Sequence, residues 1–152
     1  MRILFLGDVV GVSGCSKILN NLKDQIKKRD INFVIVNGEN SAEPGVGLTK
    51  EVCNDFFNCG VDVITTGNHV WDQKEIMSYI EKENRLLRPY NLFKPSPGKG
   101  FEIYKTSQNI NVGVLNLMGN VFMKKSEDVF EVSKKFLQNN ELKKDYDLLI
   151  VD

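Results

Sequence analysis

The feature that most constrains this chain is a set of short apolar runs that do not alternate with polar residues. They lie at 3–6, 33–36, 61–66, 112–117 and 148–151. A strand with one wet face alternates in polarity, whereas a strand buried on both faces reads as apolar throughout. Between the runs, apolar residues recur at helical spacing: Ile18, Leu19, Leu22 and Ile26, then Val52, Cys53, Phe56 and Phe57. Thr49 stands where it caps the second helix and Gly60 where it stops it. Asp72 and Glu75 stand at capping-box spacing before Ile76, Met77 and Ile80. After a loop rich in Pro and Gly, 101–106 and 112–117 read as strands joined by a turn near Gln108-Asn109. Ser126 is placed to cap a helix bearing Val129, Phe130, Phe136 and Leu137. The expected class is α/β, a mostly parallel sheet flanked by helices, in one domain over residues 1–152.

In such sheets ligands bind outside the carboxyl ends of the strands. The residues expected there are Asp8, then Asn37, Glu39 and Asn40, then Asn68 and His69, then Asn116 and Asn120, and finally Asp152. One polar strand end means little. Several on one edge of one sheet are the usual sign of a site.

Charge excludes some functions. Lys plus Arg number 20, equal to Asp plus Glu, so nothing in the balance favours direct nucleic-acid binding or a membrane surface. The charged stretch 23–30 is mixed in sign and reads as the solvated face of a helix. The start is too short and too soon polar for a signal peptide, and no apolar run reaches the length of a membrane span. Cys15, Cys53 and Cys59 form no C-x-x-C pair, which points to buried thiols in a reducing cytoplasm. Cys53 falls on an apolar helix face. Cys15 lies near a helix start, where a thiolate is favoured.

Asp8 and Glu39 are carboxylates that this fold drives together. Such a pair is costly unless one is protonated or a cation lies between them. Carboxylate, amide and imidazole suit Mn, Fe or Zn, and a carboxylate can bridge two ions. A two-metal site clamps the attacking and leaving oxygens of a phosphoryl displacement. His69, the single histidine, would be free to act as a general acid or to steady phosphate oxygens. Each residue also has a plainer reading. Asp8 is also a turn residue, Gly38-Glu39-Asn40 an Asx-type turn, and His69 a cap or core group. The loop 7–14 follows a strand and opens a helix, but it is neither G-x-G-x-x-G nor a P-loop.

Gly67-Asn68-His69 after an apolar strand resembles the G-N-H motif of calcineurin-like metallophosphoesterases. The chain resembles most closely the YmdB-like family of bacterial phosphodiesterases. The stretches carrying the likeness are MRILFLGDVVG, FVIVNGEN, GVDVITTGNHVWDQKEI, LLRPYN, PGKG and NLMGNVF, in the family's order. The resemblance implies a layered metallophosphoesterase-type fold holding two divalent ions, Fe or Mn with Zn as a third option. It implies Asp8, Glu39, Asn40 and Asn68 as metal-site residues, Glu39 bridging, and His69 as catalytic. The expected substrate is a small phosphodiester of the 2′,3′-cyclic nucleotide class.

Two departures from the family pattern stand out. Cys15 and Asn120 occupy places where family members carry basic residues. The chain also stops at Asp152, before the D-F-H-A-E and H-T-H segments whose histidines complete the family's metal site. The expectation is therefore the N-terminal part of the fold. It is either an enzyme or an inactive remnant that needs a complementary C-terminal half, with a homo-oligomer as a further option.

Overall fold

The computed structural model describes residues 1–93, 95–123 and 126–152. In chain order the elements are β1 Ile3–Leu6, α1 Gly11–Arg29, β2 Phe33–Asn37, α2 Lys50–Cys59, β3 Val63–Thr65 and α3 Ile76–Ile80. They continue with β4 Leu86–Leu87, β5 Phe101–Lys105, β6 Asn111–Leu115, α4 Val129–Asn139 and β7 Leu148–Val151.

The fold is α/β as expected, but its strands form two sheets rather than one. β1 to β4 pair in parallel in the order β1-β2-β3-β4, while β5-β6-β7 form a second sheet. Within the second sheet β5 and β6 are antiparallel, and β6 and β7 are parallel. The unbroken apolar runs explain both the layering and the difference. On one face of the first sheet Val34, Val36, Ile64 and Leu86 pack with Ile18 and Leu22 of α1 and Cys53 and Phe56 of α2. On the other face Phe33, Ile35, Val63 and Leu87 pack against Val112 and Val114 of the second sheet. A strand covered by helices on one side needs a second apolar cover on the other. Its periodicity does not reveal whether that cover is a helix or a sheet. The outer face of the second sheet meets α4, where Phe136 packs edge-on against Phe101 at 4.6 Å between ring centroids. The layers run helix, sheet, sheet, helix.

Local chemistry sets the element ends. The Thr49 hydroxyl accepts from Val52 N–H at 3.2 Å, and Gly60 ends α2 in the left-handed region at φ 110°. Two expected caps are replaced. Asp128, not Ser126, caps α4, accepting from the N–H groups of Phe130 and Glu131. Ser126 instead accepts from the Asn120 amide. Asp72 and Glu75 form no capping box. The Glu75 carboxylate accepts from Lys50 N–H, and Asp72 turns to His69. These side chains found longer-range partners that spacing alone does not encode. The short β4 went unread because its two residues sit inside a Pro- and Gly-rich stretch.

The loop after β4 is tied to the strand end after β6 by one buried side chain. The Asn91 amide donates to the carbonyls of Met118 (2.7 Å) and Glu127 (3.0 Å), and its oxygen accepts from Met118 N–H (2.9 Å). Asn91 is fully buried. Asn91→Ala strips these partners where water cannot replace them, at about 1–3 kcal/mol for each group left unpaired. Thermal denaturation should show Tm lowered by roughly 5–10 °C for a domain of this size. A Tm within one degree of the parent would count against this clamp.

Candidate functional site

Parallel pairing of β1, β2 and β3 sends their carboxyl ends to one edge. β1 ends into Gly7-Asp8, β2 into Asn37-Gly38-Glu39-Asn40, and β3 into Gly67-Asn68-His69. Backbone hydrogen bonds stitch the three ends together: Val9 N–H to Asn37 O at 3.0 Å, Gly11 N–H to Asn40 O at 2.9 Å, and Gly38 N–H to Thr65 O at 3.0 Å. β7 delivers Asp152 to the same edge, where its carboxylate accepts from the Asn37 amide at 3.0 Å.

Asp8 and Asn40 meet directly. Asp8 is exposed, sits in the left-handed region at φ 45°, and accepts from the Asn40 amide at 2.7 Å. A non-glycine residue held there signals a local constraint on where its side chain points. The turn reading of Gly38-Glu39-Asn40 also holds, because the Asn37 side chain accepts from Glu39 N–H at 3.4 Å. Turn and site are the same structure, since the turn is what presents Glu39.

Glu39 is half-buried between the strand ends, and its carboxylate accepts from His69 N–H at 3.3 Å. Burial pushes its pKa above the ordinary carboxylate value, opposed by His69; the nearby carboxylates of Asp8 and Asp152 add to the rise. Among the described residues, no Lys or Arg is one of the charges acting on it. Gly67 leaves room for this carboxylate. A Cβ there would stand 2.6 Å from Glu39 Cδ, inside any tolerable contact.

His69 is neither a core residue nor a cap. Its Nδ1 lies 2.6 Å from the Asp72 carboxylate, and both side chains are about one-third exposed. That contact fixes the ring and leaves Nε2 turned to other business. Asp72 is the residue that sequence reasoning misplaced, having read it as a helix cap. Its spacing of three from His69 was the available signal.

Other sequence candidates have structural roles. Asn116 is fully buried and donates to Leu87 O at 3.0 Å, and its side-chain oxygen has no partner among the described residues. Asn120 donates to Ser126 and Glu127 O and accepts from Val129 N–H, so it orders the entry to α4. The expected thiolate at Cys15 is overturned. Its buried S–H donates to Ser41 O at 3.2 Å, and burial pushes its pKa up. Cys53 is fully buried, and its pKa is pushed far above the ordinary thiol value by the same cause.

The donors brought together are the Asp8, Glu39 and Asp152 carboxylates with the Asn40 amide, while Asn68 lines the neighbouring cleft beside β3. Hard oxygen donors around uncompensated negative charge fit a divalent cation. Among the described residues, no three His, Cys, Asp or Glu side chains stand close enough to hold a metal ion by themselves. The fit is therefore that of an incomplete donor set. Among the described residues, no helix is long and apolar enough to cross a membrane.

The YmdB-like protein family matches residues 4–152. The chain is 40% identical over 130 residues to the 2′,3′-cyclic-nucleotide 2′-phosphodiesterase of Bacillus subtilis, covering 86% of this chain and 48% of that protein. A hypothetical protein from Thermus thermophilus superposes with a TM-score of 0.88 at 34% identity, over 99% of this chain and 56% of that one. A Mycoplasma pneumoniae protein whose crystal structure is titled a novel phosphatase gives 0.87 at 31%, over 100% and 54%. The chain spans about half the length of the curated relatives it matches. Matched by that family over residues 4–152, the chain belongs to the YmdB-like protein family.

Proposed function

We propose that this chain is a metal-dependent phosphodiesterase acting on 2′,3′-cyclic nucleotides or related small phosphodiesters in the cytoplasm. The observation that carries the reading is Glu39, a half-buried carboxylate at the meeting of the strand ends, raised by burial and by Asp8 and Asp152 against the opposing pull of His69. The Bacillus subtilis relative's name supplies the substrate class. Asp8, Glu39 and Asn68 would hold two divalent ions, Fe or Mn. Asn40 would join them through its oxygen while its NH₂ holds Asp8. A bound divalent ion supplies Lewis acidity at phosphorus and a more acidic water.

The chain's own residues do the rest. Water adds to phosphorus and gives up one proton to solvent, the bond to one ribose oxygen breaks, and that oxygen takes the proton carried on His69 Nε2, which the ring regains from solvent. Asp72, on Nδ1, keeps the ring in the orientation that transfer needs. Asn68 offers its amide at the rim, where a phosphate oxygen would lie.

A second reading is favoured by the incomplete donor set: a half-domain that becomes competent when another segment supplies further ligands. The exposed flanks of β7 and β1, with Val151 at 55% and Phe5 at 40% exposure, fit an edge that another segment covers. Calorimetric titration with Mn, followed by an assay on 2′,3′-cyclic AMP, separates the two. The enzyme reading expects two ions bound and metal-dependent turnover. One weakly held ion without turnover supports the half-domain and overturns the enzyme reading.

A further inference from the structure

A cleft of about 220 Å³ opens beside the strand end of β3, and Asn68, Trp71, Asp72, Leu92, Phe93 and Met118 are among the residues that line it. Larger hollows, such as that of about 790 Å³ beside Thr49 and Lys50, lie among charged side chains away from the strand ends.

We propose that this cleft is a nucleobase subsite, in which Trp71 and Phe93 take the flat face of the base whose phosphate sits at Glu39, Asn68 and His69. The inference rests on the phosphodiesterase reading and deepens it. Four observations carry it. The cleft is continuous with the candidate site, since Gly67 and Asn68 line it and Asp72, the His69 partner, forms its wall. Its volume lies below the range of ordinary drug-sized pockets, so it suits one planar ring system rather than a peptide. Its lining sets two aromatic side chains, Trp71 and Phe93, beside the apolar Leu92 and Met118, the kind of surface on which bases stack. Phe93 is half exposed although it is large and apolar, a cost that stacking on a base would remove.

The cleft is also built to last. Asn91 pins the Leu92-Phe93 segment to Met118. The Ser96 hydroxyl donates to Phe93 O at 2.6 Å. Trp71 is held by packing on the helix-side core.

Trp71 is the single tryptophan in the sequence, so tryptophan emission reports on this cleft alone. The test titrates the full chain with adenosine, ribose 5-phosphate and inorganic phosphate, with hydrolysis of bis(4-nitrophenyl) phosphate followed in parallel in Mn. Adenosine should quench Trp71 saturably while the other two do not. Phe93→Ala, at an exposed position that spares the core, should weaken adenosine by about 5- to 100-fold. No saturable response to adenosine, an equal response to ribose 5-phosphate, or an unchanged affinity in Phe93→Ala would overturn the subsite. Metal-dependent hydrolysis without an adenosine response leaves the phosphodiesterase reading standing and removes the subsite. An adenosine response lost in Phe93→Ala, without hydrolysis, supports the subsite and removes the reading.

Discussion

Replacing His69 with Ala is expected to lower kcat on 2′,3′-cyclic AMP by about 10²–10⁴-fold, the usual contribution of a positioned proton donor. KM should change little, because the imidazole acts on the leaving oxygen rather than on the ground-state substrate. The geometry argues for a proton role over a structural one. The ring is about one-third exposed at the rim, and its hydrogen bond at Nδ1 is to a neighbouring carboxylate and not to the core. Its loss therefore leaves no buried group unpaired, and the variant should melt within a degree or two of the parent. Asp72→Asn should give a smaller fall of about 10- to 100-fold, the range for a residue that orients another. Steady-state kinetics on the chain in Mn, together with thermal melts, check all three statements. An unchanged kcat in His69→Ala would remove the general acid from the mechanism.

Much of this site was legible as letters because strand ends in a parallel sheet are a topological fact. Once 3–6, 33–36 and 61–66 are read as parallel strands, the residues after them fall at one edge, and the parallel pairing of β1, β2 and β3 is what the structure has. The division into two sheets was not legible. Val112 and Val114 carry the same apolar signal whether they extend the first sheet or cover its face. The partner of His69 was hidden for a related reason. Asp72 and Glu75 satisfy a local capping pattern, but a carboxylate beside an imidazole gains more from that contact than from a helix of only five residues. The role of Asp152 lay beyond pattern reading as well. It reaches Asn37 across 115 positions of sequence, and only the path of β7 beside β6 makes that contact.

Glu39→Gln is expected to do two opposite things. The substitution keeps the size of the side chain and an oxygen that can accept from His69 N–H, and it removes the charge. The sign follows from the raised pKa of Glu39. A carboxyl whose folded pKa lies above its unfolded value stabilises the fold in acid, and that contribution is lost as pH rises through the folded pKa. At neutral pH, without a cation, the ionised Glu39 beside Asp8 and Asp152 is therefore a liability. The ion-free Gln variant should melt above the parent at pH 7, and the two should converge as pH falls below the ordinary carboxylate range. Divalent ion reverses the order. At about 100 times its dissociation constant, Mn should add about 2.7 kcal/mol to the parent, or roughly 5–10 °C in Tm for a domain of this size. Losing a ligating carboxylate should cost the variant at least about 100-fold in Mn affinity, more than the change of an outer partner costs. Melts with and without Mn at acid and neutral pH read both effects in one experiment. Equal Mn affinity in the variant would show that Glu39 does not face the cation. A lower Tm at neutral pH would show that its charge is compensated within the fold. The argument predicts gain in the empty chain and loss in the loaded one, because a carboxylate kept against its own electrostatic cost is one that a cation is meant to meet.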